Sequence, residues 1–201
     1  MATYARKVSL TFRPPRFVNH FFAATSVLVL AACSGGLSSS SAHPIPSPNI
    51  SGVVVYPGLA HKHLYGKHIT YPQTPPVGGE HSPYYLDCKV YTSAVPNEFA
   101  VHSMEHGAVW LTYSPDVPAA DVNALVALSK VRSDYVIVSP YPGQPAPIIA
   151  TAWGLQLTAT SASDPRVSAF VHQYVGGGQG GEPGVQCAGG VTPAQAQTTF
   201  S

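Results

Sequence analysis

Residues 61–83 read HKHLYGKHITYPQTPPVGGEHSP, and they constrain the fold more than any other stretch. Proline removes a backbone donor and fixes φ, and glycine weakens helices and strands alike. A run in which both recur has no helical or strand periodicity, so it must be an ordered loop. Long loops inside compact domains are usually functional. This one also carries His61, His63, His68 and His81.

The elements around the loop are short. Ser51–Tyr56 is β-branched and predicts a strand, as does the loosely alternating stretch 84–92. Residues 97–106 predict a short helix, with Asn97 as N-cap and Gly107 as terminator. A strand over 108–113 follows, then a helix from Pro118 to about Arg132 with Val122, Leu125, Val126 and Leu128 on one side. Strands are expected at 135–139 and 148–157. Asp164-Pro165 supplies N-cap and N1 of a last helix that buries Val167, Phe170, Val171 and Tyr174. From Gly176 onward the chain is Gly-rich and reads as extended. The expected architecture is one small α+β domain. It has a mixed or antiparallel sheet of four to five strands, two to three helices and long Pro/Gly-rich loops.

The ends suggest an address and a tether. Lys7, Arg13 and Arg16 precede a largely apolar run from Phe17 to Ala32, and Leu30-Ala31-Ala32-Cys33 fits the site at which bacterial lipoproteins are cut and acylated. Residues 1–33 are therefore expected to be a lipoprotein signal peptide, with the mature chain starting at Cys33. Ser/Pro-rich residues 34–49 would be a tether, 50–190 the domain and 191–201 a flexible tail. The membrane is then a partner through lipid on Cys33, at the extracytoplasmic face. In that compartment Cys88 and Cys187 are free to form a disulfide, the alternative being a thiolate ligand and a free thiol. A net charge of +1, with 9% charged residues, gives no field for nucleic acid. No Gly-rich phosphate loop follows a strand and opens a helix, so nucleotide binding has no support.

The stretch 102–107, HSMEHG, holds the densest group of metal-ligand side chains. On a helix His102, Glu105 and His106 share a face at i, i+3 and i+4; on a strand His102, Met104 and His106 would share it. Either way two imidazoles converge, and two ligands make a weak site. His81 and His63 are the natural third and fourth, with His61 and His68 ranked last. The expected metal set is thus His63, His81, His102, Glu105 and His106, and the expected ion copper, with zinc close behind. The tyrosines of the loop would pack and orient these rings, while Trp110 and Trp153 would sit in strands. The run also matches H-x-x-E-H, in which Glu105 would be the general base of a zinc hydrolase. That motif stands on long helices, and Pro96 leaves no room for one. A third reading is a structural or partner-binding surface protein without catalysis.

One resemblance is specific. His63, Tyr71-x-x-x-Pro75-Pro76-x-Gly78-Gly79-x-His81 and Val101-His102-x-x-Glu105-His106-Gly107 resemble the bacterial family catalogued as domain of unknown function 3105. The similarity continues through Val138-x-Pro140-Tyr141-Pro142-Gly143 and Thr151-Ala152-Trp153-Gly154, covering roughly residues 50–185. It implies that His63, His81, His102, Glu105 and His106 occupy motif positions, and it implies no settled activity. Gly78 stands where the family tends to have Ser, and Met104 where Leu is more usual. The Met is expected to fill core space rather than offer a thioether.

Overall fold

The computed structural model describes residues 49–200. The expected signal peptide, Cys33 and all but the last residue of the tether lie outside them. Five strands form one sheet: β1 (Val54–Val55), β2 (Val109–Tyr113), β3 (Val136–Pro140), β4 (Ile148–Ala152) and β5 (Leu155–Ala159). Their order is β1-β5-β4-β2-β3, parallel between β2 and β3 and antiparallel elsewhere. The helices are α1 (Asn97–Glu105), α2 (Ala119–Ser129), α3 (Pro165–Tyr174) and α4 (Pro193–Gln197). The α+β class with a mixed sheet stands as read from the sequence.

Alternation along the strands sorts the core into two clusters. Val109, Leu111, Val136 and Val138 pack with Leu125 of α2 and with Val167, Phe170, Val171 and Tyr174 of α3. Trp110 and Ile137, one position out of phase, pack with Phe99, Ala100, Val101 and Met104 of α1. The sheet therefore lies between a two-helix layer and a layer made of α1 and the long loop. That second layer carries the histidines. Helix α3 starts as its sequence predicts: the Asp164 side chain accepts from Arg166 N, and Pro165 is the first helical residue.

Several boundaries differ, each for a local reason. The 148–157 strand is a hairpin, because Gly154, at φ 70°, lets Trp153-Gly154 turn the chain between β4 and β5. Trp153 thus sits in the turn, while Trp110 is in β2 as expected. Stretch 84–92 builds no strand: Leu86 bridges to Val191 and Val90 to Val138, and two unrelated partners cannot make a ladder. The first strand shrinks to two residues on the edge of β5. Pro96, not Asn97, caps α1, and the Asn97 side chain bonds the Tyr141 hydroxyl instead. Helix α2 ends at Ser129, where Lys130 N and Val131 N switch to carbonyls three residues back.

The end of the chain is packed rather than free. The Gly-rich segment lies across the C-terminus of α1, and the boundary expected at 190 falls inside folded structure. Val191 N bonds Tyr85 O at 3.0 Å, and α4 opens with a Thr192–Gln195 capping box and buries Ala196. A helix of five residues has too few turns to show a hydrophobic period in the sequence.

Cys88 and Cys187 form a disulfide with Cα atoms 5.2 Å apart, closing 99 residues of sequence. It belongs to the cluster of α1, with Leu86 and Val95. Replacing both cysteines by alanine should lower stability by about 4.7 kcal/mol, the chain-entropy value for a loop of this length. Urea unfolding of the two proteins checks this, and a loss under 1 kcal/mol would show that the tail holds without the bridge.

Candidate metal centre

Backbone pairing inside the loop positions the first two ligands. His63 and His81 form an isolated parallel bridge, with Leu64 N on His81 O at 2.7 Å and His81 N on Lys62 O at 3.0 Å. The loop then docks on α1. Ser82 N bonds Glu98 O at 3.2 Å, Leu86 N bonds Phe99 O at 3.0 Å, and Ser103 Oγ donates to Leu86 O at 2.7 Å. Residues forty positions apart thereby meet.

Four side chains converge. One ligand atom each of His63, His81, His102 and Glu105 lies within 4.8 Å of the others. His81, His102 and Glu105 are buried; His63 is about two-fifths exposed at 39%. Glu105 Oε2 stands 2.9 Å from His81 Nε2 and 3.5 Å from His63 Nε2. The helical alternative for 97–106 therefore holds, and Glu105 faces the loop histidines. Met104 is fully buried among apolar residues, as the core reading of it expected.

The second ring nitrogens are held by backbone. His81 Nδ1 donates to Gly79 O at 2.7 Å and His102 Nδ1 to Ser82 O at 2.7 Å. A carbonyl only accepts, so both Nδ1 atoms carry hydrogen, and each Nε2 is the free nitrogen. The tyrosines do not perform this task. Tyr85 packs its ring on His106 and His102, at 4.8 and 5.8 Å between centroids, while Tyr71 donates to Glu80 O.

His106 does not join the first four. It belongs to an adjacent group with His102 and Glu182, whose ligand atoms also lie within 4.8 Å of one another. Its Nε2 is 3.0 Å from His102 Nε2 and 3.2 Å from Glu182 Oε2, and its buried Nδ1 has no partner. Glu182 was missed in the sequence because it follows a Gly-rich run that reads as extended. That run is in fact pressed against α1: a Cβ on Gly180 would sit 2.1 Å from Glu105 O, so only glycine fits there. His61, ranked last, also belongs at the centre, with Nδ1 donating to Glu105 Oε1 at 2.6 Å and its ring stacked on Trp153. His68, ranked beside it, does not: it stacks on Phe200 and faces Glu98 at 3.7 Å.

Electrostatics keep the ligands in binding form. Burial would push the Glu105 carboxyl up, but the hydrogen bond and charge of His81, with the His61 bond, hold it down at about 2. Burial pushes His102 down to about 4, helped by His81, His106 and His63 and opposed by the Ser82 carbonyl. His106 is also lowered, by burial, against the pull of Glu182 and Glu105. The carboxylate of Glu105 and the neutral imidazoles of His102 and His106 are the forms in which such groups bind a borderline metal ion.

A family model described as "Protein of unknown function (DUF3105)" matches residues 62–189. The chain belongs to that family. No curated protein and no solved structure matches the chain. The family's span starts beside His63 and ends beyond Glu182, so it contains every member of both ligand groups.

The shifted groups set a pH dependence for the metal-free protein. An unfolded imidazole binds its proton near 6.5, but folded His102 resists until about 4. Between those values the unfolded state holds more protons, so stability falls as pH falls. Glu105 adds a further loss from its ordinary 4.5 down to about 2. Urea unfolding of chelator-treated protein should show about 2 kcal/mol less stability at pH 4.5 than at pH 7.5 from His102. His102→Gln should flatten that interval; an unchanged profile would contradict the assignment.

Proposed function

We propose that this chain is an exported, lipid-anchored protein that holds a divalent transition-metal ion, Cu²⁺ or Zn²⁺, on His63, His81, His102 and Glu105. One observation carries the metal reading. His81 Nδ1 is committed to the Gly79 carbonyl, so its Nε2 meets Glu105 Oε2 at 2.9 Å with either a second proton or a cation between them. A bound metal ion takes that proton's place and keeps the Nδ1 hydrogen bond to the Gly79 carbonyl.

Three imidazoles and a carboxylate suit Zn²⁺ and Cu²⁺; the affinity order favours copper. With Met104 in the core, no thioether adds a preference for Cu⁺. Four protein ligands leave no open position in a tetrahedral shell, which fits holding an ion rather than activating water. In the hydrolase reading Glu105 would be a free base, and its two oxygens are instead turned to His61 and His81. A cavity of about 550 Å³ opens at the other end of α1, between Pro96, Glu98, Tyr141 and Phe200, away from the ligands. The role that fits is sequestration or delivery of metal at the envelope. Anchoring rests on the Leu30-Ala31-Ala32-Cys33 sequence; no helix among the described residues is long and apolar enough to cross a membrane.

Protein purified without a His tag should retain about one ion per chain, read by elemental analysis. Ligand at a thousandfold above Kd stabilises by about 4 kcal/mol, so Tm of stripped protein should rise by roughly 10 °C with added Cu²⁺ or Zn²⁺. His81→Ala and His102→Ala should each remove most of that rise. No retained metal and no shift would end the metal reading. Separately, Cys33→Ala should release the protein from the membrane fraction and abolish labelling by radioactive palmitate; unchanged membrane attachment would end the lipid-anchor reading.

A further inference from the structure

The two ligand groups share one residue. His63, His81, His102 and Glu105 form the inner group; His102, His106 and Glu182 form the outer one. The shared ring has one nitrogen to give, because Nδ1 of His102 is held by Ser82 O. A single lone pair binds a single ion, so the two groups cannot both be filled through His102. They also differ in access. The Glu182 side chain is 48% exposed, whereas His81 is fully buried and Glu105 is 3% exposed.

Resting on the metal reading above, we propose that His102, His106 and Glu182 are an outer loading site, from which the ion passes to the inner group by ligand exchange on His102 Nε2. In the exchange, bonds to His106 and Glu182 break, bonds to His81, His63 and Glu105 form, and the bond to His102 is kept. The second proton on His81 Nε2 leaves to solvent as the ion takes its place, and the metal's oxidation state does not change.

Two further features fit an outer site built for the purpose. His106 is 3% exposed, and its Nε2 faces both His102 Nε2 at 3.0 Å and Glu182 Oε2 at 3.2 Å. Glu182 is also placed by backbone: its N–H bonds Glu105 O at 3.3 Å, Gly176 N bonds Gly107 O at 2.8 Å, and Gly180 allows that contact by lacking a Cβ. The acidic side chain is thus fixed over the end of the helix that carries His102.

The test uses the full chain with its disulfide intact, stripped by chelator, and Cu²⁺ buffered with glycine. Trp153 reports loading, because its ring lies 5.7 Å from that of His81 and a paramagnetic ion held beside that ring quenches it. Wild type should bind one ion per chain. Glu182→Gln should slow the quenching in stopped flow by tenfold or more. His81→Ala should still bind one ion, about a hundredfold more weakly, and adding Glu182→Gln to it should abolish that binding. Two ions held at once, or Glu182→Gln loading at the wild-type rate through the His61 and His63 side, would overturn the relay. So would equal binding by His81→Ala and the double variant. These results leave the inner site standing, whereas failure of wild type to bind any ion removes both readings.

Discussion

A carboxylate taken out of water loses several kcal/mol of solvation unless other groups replace it. Glu105 is such a carboxylate, 2% exposed at the end of α1, and the surrounding structure supplies the replacement. His61 and His81 each give it a hydrogen bond, and His63 stands at 3.5 Å. All three come from the long loop. The loop is therefore held where it is partly by the charge it covers, and the charge is tolerable only because the loop is there.

This mutual dependence explains how a segment without periodicity becomes ordered. Its backbone is fixed by one parallel bridge at His63 and His81 and by bonds to Glu98, Phe99 and Ser103 of α1. Behind α1, Phe99, Val101 and Met104 anchor the helix to Trp110 and Ile137 of the sheet. The disulfide then ties the following segment to the tail, and the tail brings Glu182 to the helix end. Loop and tail both pack on the helix, and the candidate ligands lie where the three meet.

The legible parts of the sequence were those in which local chemistry decides. Asp164-Pro165 starts a helix in any context, and the i, i+3, i+4 placement of His102, Glu105 and His106 follows once the segment is helical. What failed to show was long-range. Nothing local separates His61, which bonds Glu105, from His68, which stacks on Phe200 seven residues further along. His106 looked equivalent to His102, but it is the C-cap residue and turns toward Glu182 rather than the loop. Glu182 itself carried no signal except its glycines, which mark a close backbone approach. The resemblance of motifs named His63, His81, His102 and Glu105, which the fold brings together, without saying that His106 would stand apart from them.

That division bears on what the centre can do. In the motif H-x-x-E-H the two imidazoles hold the ion and the carboxylate is left to act on water. Here the same five residues are split: His102 and Glu105 look toward the loop, and His106 looks toward the tail. The cause is the helix end, since α1 stops at Glu105 and Gly107, at φ 98°, turns the chain into β2. Glu105 is then enclosed by imidazoles on both oxygens and cannot also serve as a base. With both oxygens of Glu105 engaged by imidazoles, the short helix end is the physical ground on which the proposal above favours holding an ion over activating water.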